Sequence, residues 1–133
     1  MKNIITTFLL LMSFIIINAQ AKLKSPPYLK VGDTIAIVAP AGILKNKEAT
    51  IDKAKELAES WGLQVVYGEN LFNQNNHFSG TDKERASDFQ KAMDNPNIKA
   101  IWAARGGYGS VRILDSFDFT KFKKAPKWII GYS

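Results

Sequence analysis

The chain has no cysteine and a single histidine in 133 residues. The first absence excludes disulfides, thiol catalysis and cysteine-ligated metal sites. The second leaves one imidazole, His77, in an Asn-rich stretch over 68–80. A lone histidine in such a polar loop reads as a solvated side chain, not as a general base or a metal ligand. Dense basic stripes are missing too. Eighteen Lys and Arg against twelve Asp and Glu give a formal charge of +6, but the excess is spread along the chain, with one modest cluster at Lys121, Lys123, Lys124 and Lys127. Nucleic-acid binding needs denser cations with aromatics interleaved on one face; the cluster reads as solvated surface, suited at most to an anionic polymer such as cell wall. There is no internal repeat, low-complexity tract or interdomain linker.

The longest apolar run is at the start. Met1 and Lys2 are followed by an almost unbroken apolar stretch over 4–17, and Ala19-Gln20-Ala21 offers the small-x-small pattern of a signal-peptidase site. Residues 1–21 are therefore expected to be a secretory signal, with cleavage after Gln20 or Ala21. The run is shorter than the roughly 20 residues needed to span a bilayer, and no cysteine follows to carry a lipid. Removing 21 residues from 133 leaves 112, and the loss of Lys2 lowers the charge from +6 to +5. This predicts a periplasmic or secreted protein with no stable membrane anchor after cleavage.

The remainder, 22–133, alternates strand and helix signals. The run 34–39 is β-branched and apolar on both faces, as a buried parallel strand requires. From 47 to 61, Ile51, Ala54, Leu57, Ala58 and Trp61 recur at helical spacing, with Gly62 as the stop. Residues 63–67 read as a second strand. Thr81-Asp82-Lys83-Glu84 is a capping box that opens a helix with Ala86, Phe89, Ala92 and Met93 on one stripe, ended by Asp94-Asn95-Pro96. A third strand from Ile98 breaks into Arg105-Gly106-Gly107-Tyr108-Gly109-Ser110 and resumes as a helix from Val111. Asp118 caps a short helical turn before Ala125-Pro126, and 127–130 is a fourth strand running into Gly131-Tyr132-Ser133. Short β-α-β connections imply right-handed crossovers, a parallel sheet of about four strands and helices on both faces, an α/β domain of flavodoxin-like or Rossmann-like type.

Two places carry chemistry. Three glycines in four positions, Gly106, Gly107 and Gly109, permit positive φ and expose backbone N–H groups to a ligand without a Cβ in the way. Gly131-Tyr132-Ser133, a Gly-x-Ser at the end of an apolar strand, is the first half of a nucleophile elbow. Both turns lie at the carboxyl edge of the sheet, so the Gly106 and Gly107 amides are placed to face an oxyanion formed at Ser133. Ser110 is the rival nucleophile, but a serine opening a helix is usually an N-cap, so Ser133 is favoured. Arg105 is suited to grip a substrate carboxylate bidentately, or else to pair with a carboxylate of the protein; Tyr108 and Arg112 have bland readings as cover for the sheet and an ion-pair partner. No histidine or carboxylate of this chain is placed to activate a serine. Nucleotide binding is disfavoured, since neither a Gly-x-Gly-x-x-Gly after the first strand nor a P-loop lysine is present.

Leu29-Lys30-Val31-Gly32-Asp33-Thr34, Ala39-Pro40-Ala41-Gly42, Gly80-Thr81-Asp82-Lys83-Glu84-Arg85-Ala86, Ala104-Arg105-Gly106-Gly107-Tyr108-Gly109 and Ile130-Gly131-Tyr132-Ser133 together resemble the N-terminal half of the LD-carboxypeptidases, serine peptidase family S66. The resemblance covers essentially all of 29–133. It implies a Ser-Glu-His peptidase, free of metal and cofactor, that removes the terminal D-alanine from murein tetrapeptide. The family's nucleophile falls on Ser133, and its oxyanion and substrate-binding loop on Arg105, Gly106, Gly107, Tyr108 and Gly109. The family's Glu and His, and the Asp that continues its elbow, are not in these residues, so 22–133 is expected to be an incomplete N-terminal domain, catalytically silent by itself. The expected partner is a muropeptide, with a homodimer open to the full-length protein. Rival readings are an S66 hydrolase of peptidyl-nucleotide antibiotics that confers self-immunity, and a non-catalytic muropeptide-binding module.

Overall fold

The structure is a computed structural model that describes residues 23–44 and 47–131; the expected signal and Ser133 lie outside the described residues. The elements run β1 (Thr34–Val38), α1 (Lys47–Ser60), β2 (Gln64–Tyr67), α2 (Asp82–Asp94), β3 (Ile98–Ala103), a 3-10 helix (Val111–Ser116), α3 (Thr120–Lys124) and β4 (Trp128–Ile130). All strand pairs are parallel, in the order β2-β1-β3-β4. The α/β expectation holds, with strand ends shifted by a residue and the segment after the glycine loop wound as 3-10.

Central β1 is buried on both faces because its alternate side chains serve two helices. Ala36 and Val38 pack with Phe89, Ala92 and Met93 of α2. Ile37 packs with Ile51 of α1, and Ile35 with Ala58. Each fully buried aliphatic here contributes on the order of 1.5–3 kcal/mol. The capping box at Thr81 is present as read: Thr81 Oγ1 accepts from the Glu84 amide at 3.2 Å, and Glu84 Oε2 accepts from the Thr81 amide at 2.7 Å.

Three local expectations are corrected. Leu57 and Trp61 stay 45% and 54% exposed, since at about 100° per residue they lie on the flank of the helix face that Ile51 and Ala58 bury. The buried stripe of α2 starts at Arg85 rather than Ala86. Lys127 is not a solvated member of the lysine cluster but is buried, donating to the carbonyls of Ala92 and Asn95 at the end of α2. There it supplies donors to carbonyls that the helix itself leaves unpaired.

β3 carries an irregularity: Thr34 pairs with Ile98, but Ile35 pairs with Ala100. Lys99 is thus an extra residue, and Ile98 and Ile101 end up in the same core cluster despite their odd spacing. Before β1, Tyr28 stacks on Trp128 with ring centroids 6.3 Å apart, and Trp128 Nε1 donates to the Pro27 carbonyl at 2.8 Å. The lead segment is thereby held against β4.

Candidate active site

From β1 the chain crosses to β2 on one side; from β2 it returns to β3 on the other. The strand order therefore reverses between β1 and β3, and the crevice outside their carboxyl ends is where an open α/β sheet receives ligands. The turn after β1, residues 39–43, and the glycine loop after β3, residues 104–110, meet at this point.

Their contact is built from backbone and arginine. The Ala104 amide donates to the Val38 carbonyl at 2.8 Å. Arg105 Nη1 donates to the Ile43 carbonyl at 2.9 Å, and its Nε lies so close to Gly42 that a Cβ there would sit 3.3 Å away. Gly107 and Gly109 take φ of 99° and 116°, a region that other residues enter only with strain. At Gly109 space is also lacking: a Cβ would meet the Phe78 ring at 2.7 Å.

Phe78 is the hub of the loop's outer side. Arg85 and Arg112 lie over its ring at 4.8 and 5.4 Å, and the rings of His77 and Tyr108 are 4.0 and 6.0 Å away. Phe78 is placed by the polar loop that follows β2. The Ser79 amide donates to the Ala41 carbonyl at 2.9 Å, and the Ile43 amide to the His77 carbonyl at 3.1 Å. The otherwise polar loop is thus bonded to the β1 turn, while the His77 side chain stays exposed. Asp88, buried on α2, fixes the start of the same loop by accepting from the amide and the side chain of Asn70, both at 2.8 Å.

Arg85 and Asp82 tie these parts together. Arg85, 2% exposed, donates through Nη1 to the carbonyls of Pro40 and of Gly109, the latter at 2.9 Å, and through Nη2 to Asp82. Asp82 also accepts from Arg112 Nη2 at 2.9 Å and Nε at 3.0 Å. The Arg112 hydrogen bonds, with Arg85 beside them, hold the Asp82 carboxyl below the usual carboxylate range.

Inside the crevice is a cavity of about 470 Å³ with largely apolar walls, to which Gly106, Gly107, Ser110, Phe117, Ile129 and Gly131 contribute. Gly106 and Gly107 line the cavity, and Gly109 is buried behind it. Tyr108 is 71% exposed, so it is not cover for the sheet. Arg105 is exposed and bonded to a backbone carbonyl, with no protein carboxylate as partner among the described residues. Ser110 stands at the 3-10 N-terminus with helical φ and ψ, and its hydroxyl makes no cap hydrogen bond; the N-cap reading is corrected, because a residue already in helical geometry turns its side chain away from the following amides. Ser133 lies outside the described residues, two positions beyond Gly131. Among the described residues there is no His, Cys, Asp and Glu cluster able to hold a metal, and no helix long and apolar enough to cross a membrane.

Asp88 is not singled out by the sequence patterns; Arg85 enters there only as part of the motif over 80–86, and Lys127 only as a member of the lysine cluster, neither with a role at the site. For Arg85 the signal was the 85, 89, 92 spacing, which puts it on the buried face with Phe89 and Ala92.

The family model of the LD-carboxypeptidase N-terminal domain, peptidase S66, matches residues 35–133, and the chain belongs to this family. It is 31% identical over 102 residues to a murein tetrapeptide carboxypeptidase of Pseudomonas aeruginosa, covering 74% of this chain and 32% of that protein. Among solved structures, the microcin C7 self-immunity protein MccF, a protein of Escherichia coli, superposes with a TM-score of 0.76 at 32% identity, over 84% of this chain and 33% of the other. The muramoyltetrapeptide carboxypeptidase from Oxalobacter formigenes gives 0.64 at 29% identity, over 75% and 33%. The chain spans about a third of the length of these relatives.

Proposed function

We propose that this chain is the nucleophile-bearing part of an exported serine LD-carboxypeptidase that hydrolyses the amide bond to the terminal D-alanine of murein tetrapeptide in the periplasm. The observation that carries the reading is that Gly131 and the Gly106-Gly107 pair border one cavity at the carboxyl ends of β3 and β4. Ser133 follows Gly131 by two positions in the sequence and is the serine proposed to serve this cavity. In the proposed step Ser133 Oγ attacks the scissile carbonyl and gives its proton to a base. The Gly106 and Gly107 amides receive the developing oxyanion, and D-alanine leaves with the proton returned to its nitrogen. Water then hydrolyses the acyl-serine. Arg105, at the crevice mouth, is suited to the terminal carboxylate of the stem peptide. The base and its orienting acid belong to the part of the protein outside these residues.

The experiment is to express the complete reading frame and follow free D-alanine from murein tetrapeptide beside a Ser133→Ala control. Release abolished in the control supports both the reaction and the nucleophile. The same protein failing to release D-alanine while folded would overturn the reading. A second reading, hydrolysis of a peptidyl-nucleotide, is favoured by the higher TM-score to MccF, 0.76 against 0.64. Incubation with an aminoacyl sulfamoyl adenosine separates the two.

A further inference from the structure

The sequence puts an arginine in the first turn of α2, on the face that also carries Phe89 and Ala92. A guanidinium on a core-facing stripe must find acceptors, because removing a charge from water without partners costs several kcal/mol. Arg85 finds them in two loops far away in sequence: the Pro40 carbonyl, 45 residues upstream, and the Gly109 carbonyl, 24 residues downstream. Asp82, one helical turn before it, takes the second Nη. These three acceptors belong to the β1 turn, the glycine loop and α2. Nε is buried without a hydrogen-bond partner, so the side chain is placed for what its two Nη groups hold, at the expense of its third nitrogen.

We propose that Arg85 is the positioning residue of the glycine loop, fixing Gly109 against the β1 turn so that the Gly106 and Gly107 amides keep their direction before substrate arrives. This rests on the reading of that loop as the oxyanion site. Preorganisation is what such a site requires, since donors that must reorient during reaction lose most of their effect. Phe78 completes the clamp. Its ring packs on one side against the position where a Gly109 Cβ would be and on another against the Arg85 guanidinium. The loop is fastened near its start as well, where the Ala104 amide donates to the Val38 carbonyl at 2.8 Å. Gly106 and Gly107 therefore lie between two anchored ends.

Arg85→Lys in the full-length protein tests this, since lysine keeps the charge but has no planar fork to span separate acceptors. The expected result is a fall of about 100-fold in kcat on murein tetrapeptide, of the size a displaced catalytic group produces, with KM within about twofold. The amide resonances of Gly106, Gly107 and Gly109 shift or broaden, while those of residues 35–38 stay in place. A kcat changed by less than about threefold, unmoved glycine resonances, or equal shifts throughout the sheet would each overturn the proposal. If Arg85→Lys does not fold, Phe78→Leu carries the test: it loosens the same clamp, and glycine resonances that do not move in it reject the idea. If the unmodified protein releases no D-alanine, the carboxypeptidase reading falls, and the resonances alone decide whether Arg85 positions the loop.

Discussion

Arg105 donates to the Ile43 carbonyl at 2.9 Å across the crevice between the two turns. The bond engages one nitrogen of an exposed side chain, so its loss costs the fold only about 0.5–1.5 kcal/mol. Arg105→Ala in the full-length protein is expected to raise KM for murein tetrapeptide about tenfold or more, with a smaller change in kcat. That is the pattern of lost ground-state binding. Arg105→Lys should recover part of it, because the charge returns without the bidentate fork. Unchanged KM in both variants would remove Arg105 from substrate binding.

Gly109 and Gly32 give an internal comparison. Both have positive φ, 116° and 90°, but a Cβ at Gly109 meets Phe78 whereas at Gly32 nothing lies within 4 Å. Gly32→Ala should therefore cost only the backbone strain, about 1 kcal/mol, and Gly109→Ala more, about 2–4 kcal/mol. Urea midpoints of the two variants check the order; equal losses would contradict the packing argument.

Lys127 sets a pH dependence on the alkaline side. Burial, with Lys99 adding to it and Asp94 opposing, pushes its ammonium down to about 8 from an ordinary 10.5. Between these values the unfolded chain holds a proton that the folded one has released, so stability contributed through this residue rises with pH from about 8 to 10.5. The neutral amine keeps two N–H donors for the Ala92 and Asn95 carbonyls. Denaturation midpoints at a series of pH values should show the rise, and Lys127→Met should flatten it.

On the acid side Asp82 acts in the opposite sense. Its carboxyl is lowered first by the hydrogen bonds from Arg112 and further by Arg85. The stability it contributes is complete above the unfolded value of 3.8 and is lost as pH falls through the lower folded value. Asp82→Asn is expected to unfold with a shallower acid dependence than the unmodified protein. Parallel acid titrations of the two would show no difference if the Arg112 pair were unimportant.

How much of this was legible depended on whether an interaction is local. The Thr81-Glu84 box spans three residues, and β1 is a single run, so both could be read directly. The glycine loop could be read because only glycine takes the φ of Gly107 and Gly109 without strain. Arg85 and Lys127 could not, because their partners come from other elements: carbonyls 45 and 24 residues away for one, 35 and 32 for the other. A charged residue seen alone reads as solvated. Leu57 and Trp61 show the reverse failure, since periodicity gives the apolar side of a helix but not how far round it the packed face extends. Ser110 shows a third: cap chemistry depends on backbone angles, and those follow from the loop.

The extra residue in β3 has a consequence for how the chain tolerates changes in length. Lys99 lies at the end of the strand away from the crevice, and its removal would restore plain alternation, Ile98 toward α2 and Ala100 toward α1, with every later pairing unchanged. The strand thus keeps one residue of slack upstream of Ala100 and none downstream. Deleting Lys99 should leave the glycine loop in phase with the β1 turn and activity intact. Deleting Ile101 instead would draw Arg105, Gly106 and Gly107 back by about 3.3 Å and turn each toward the wrong face.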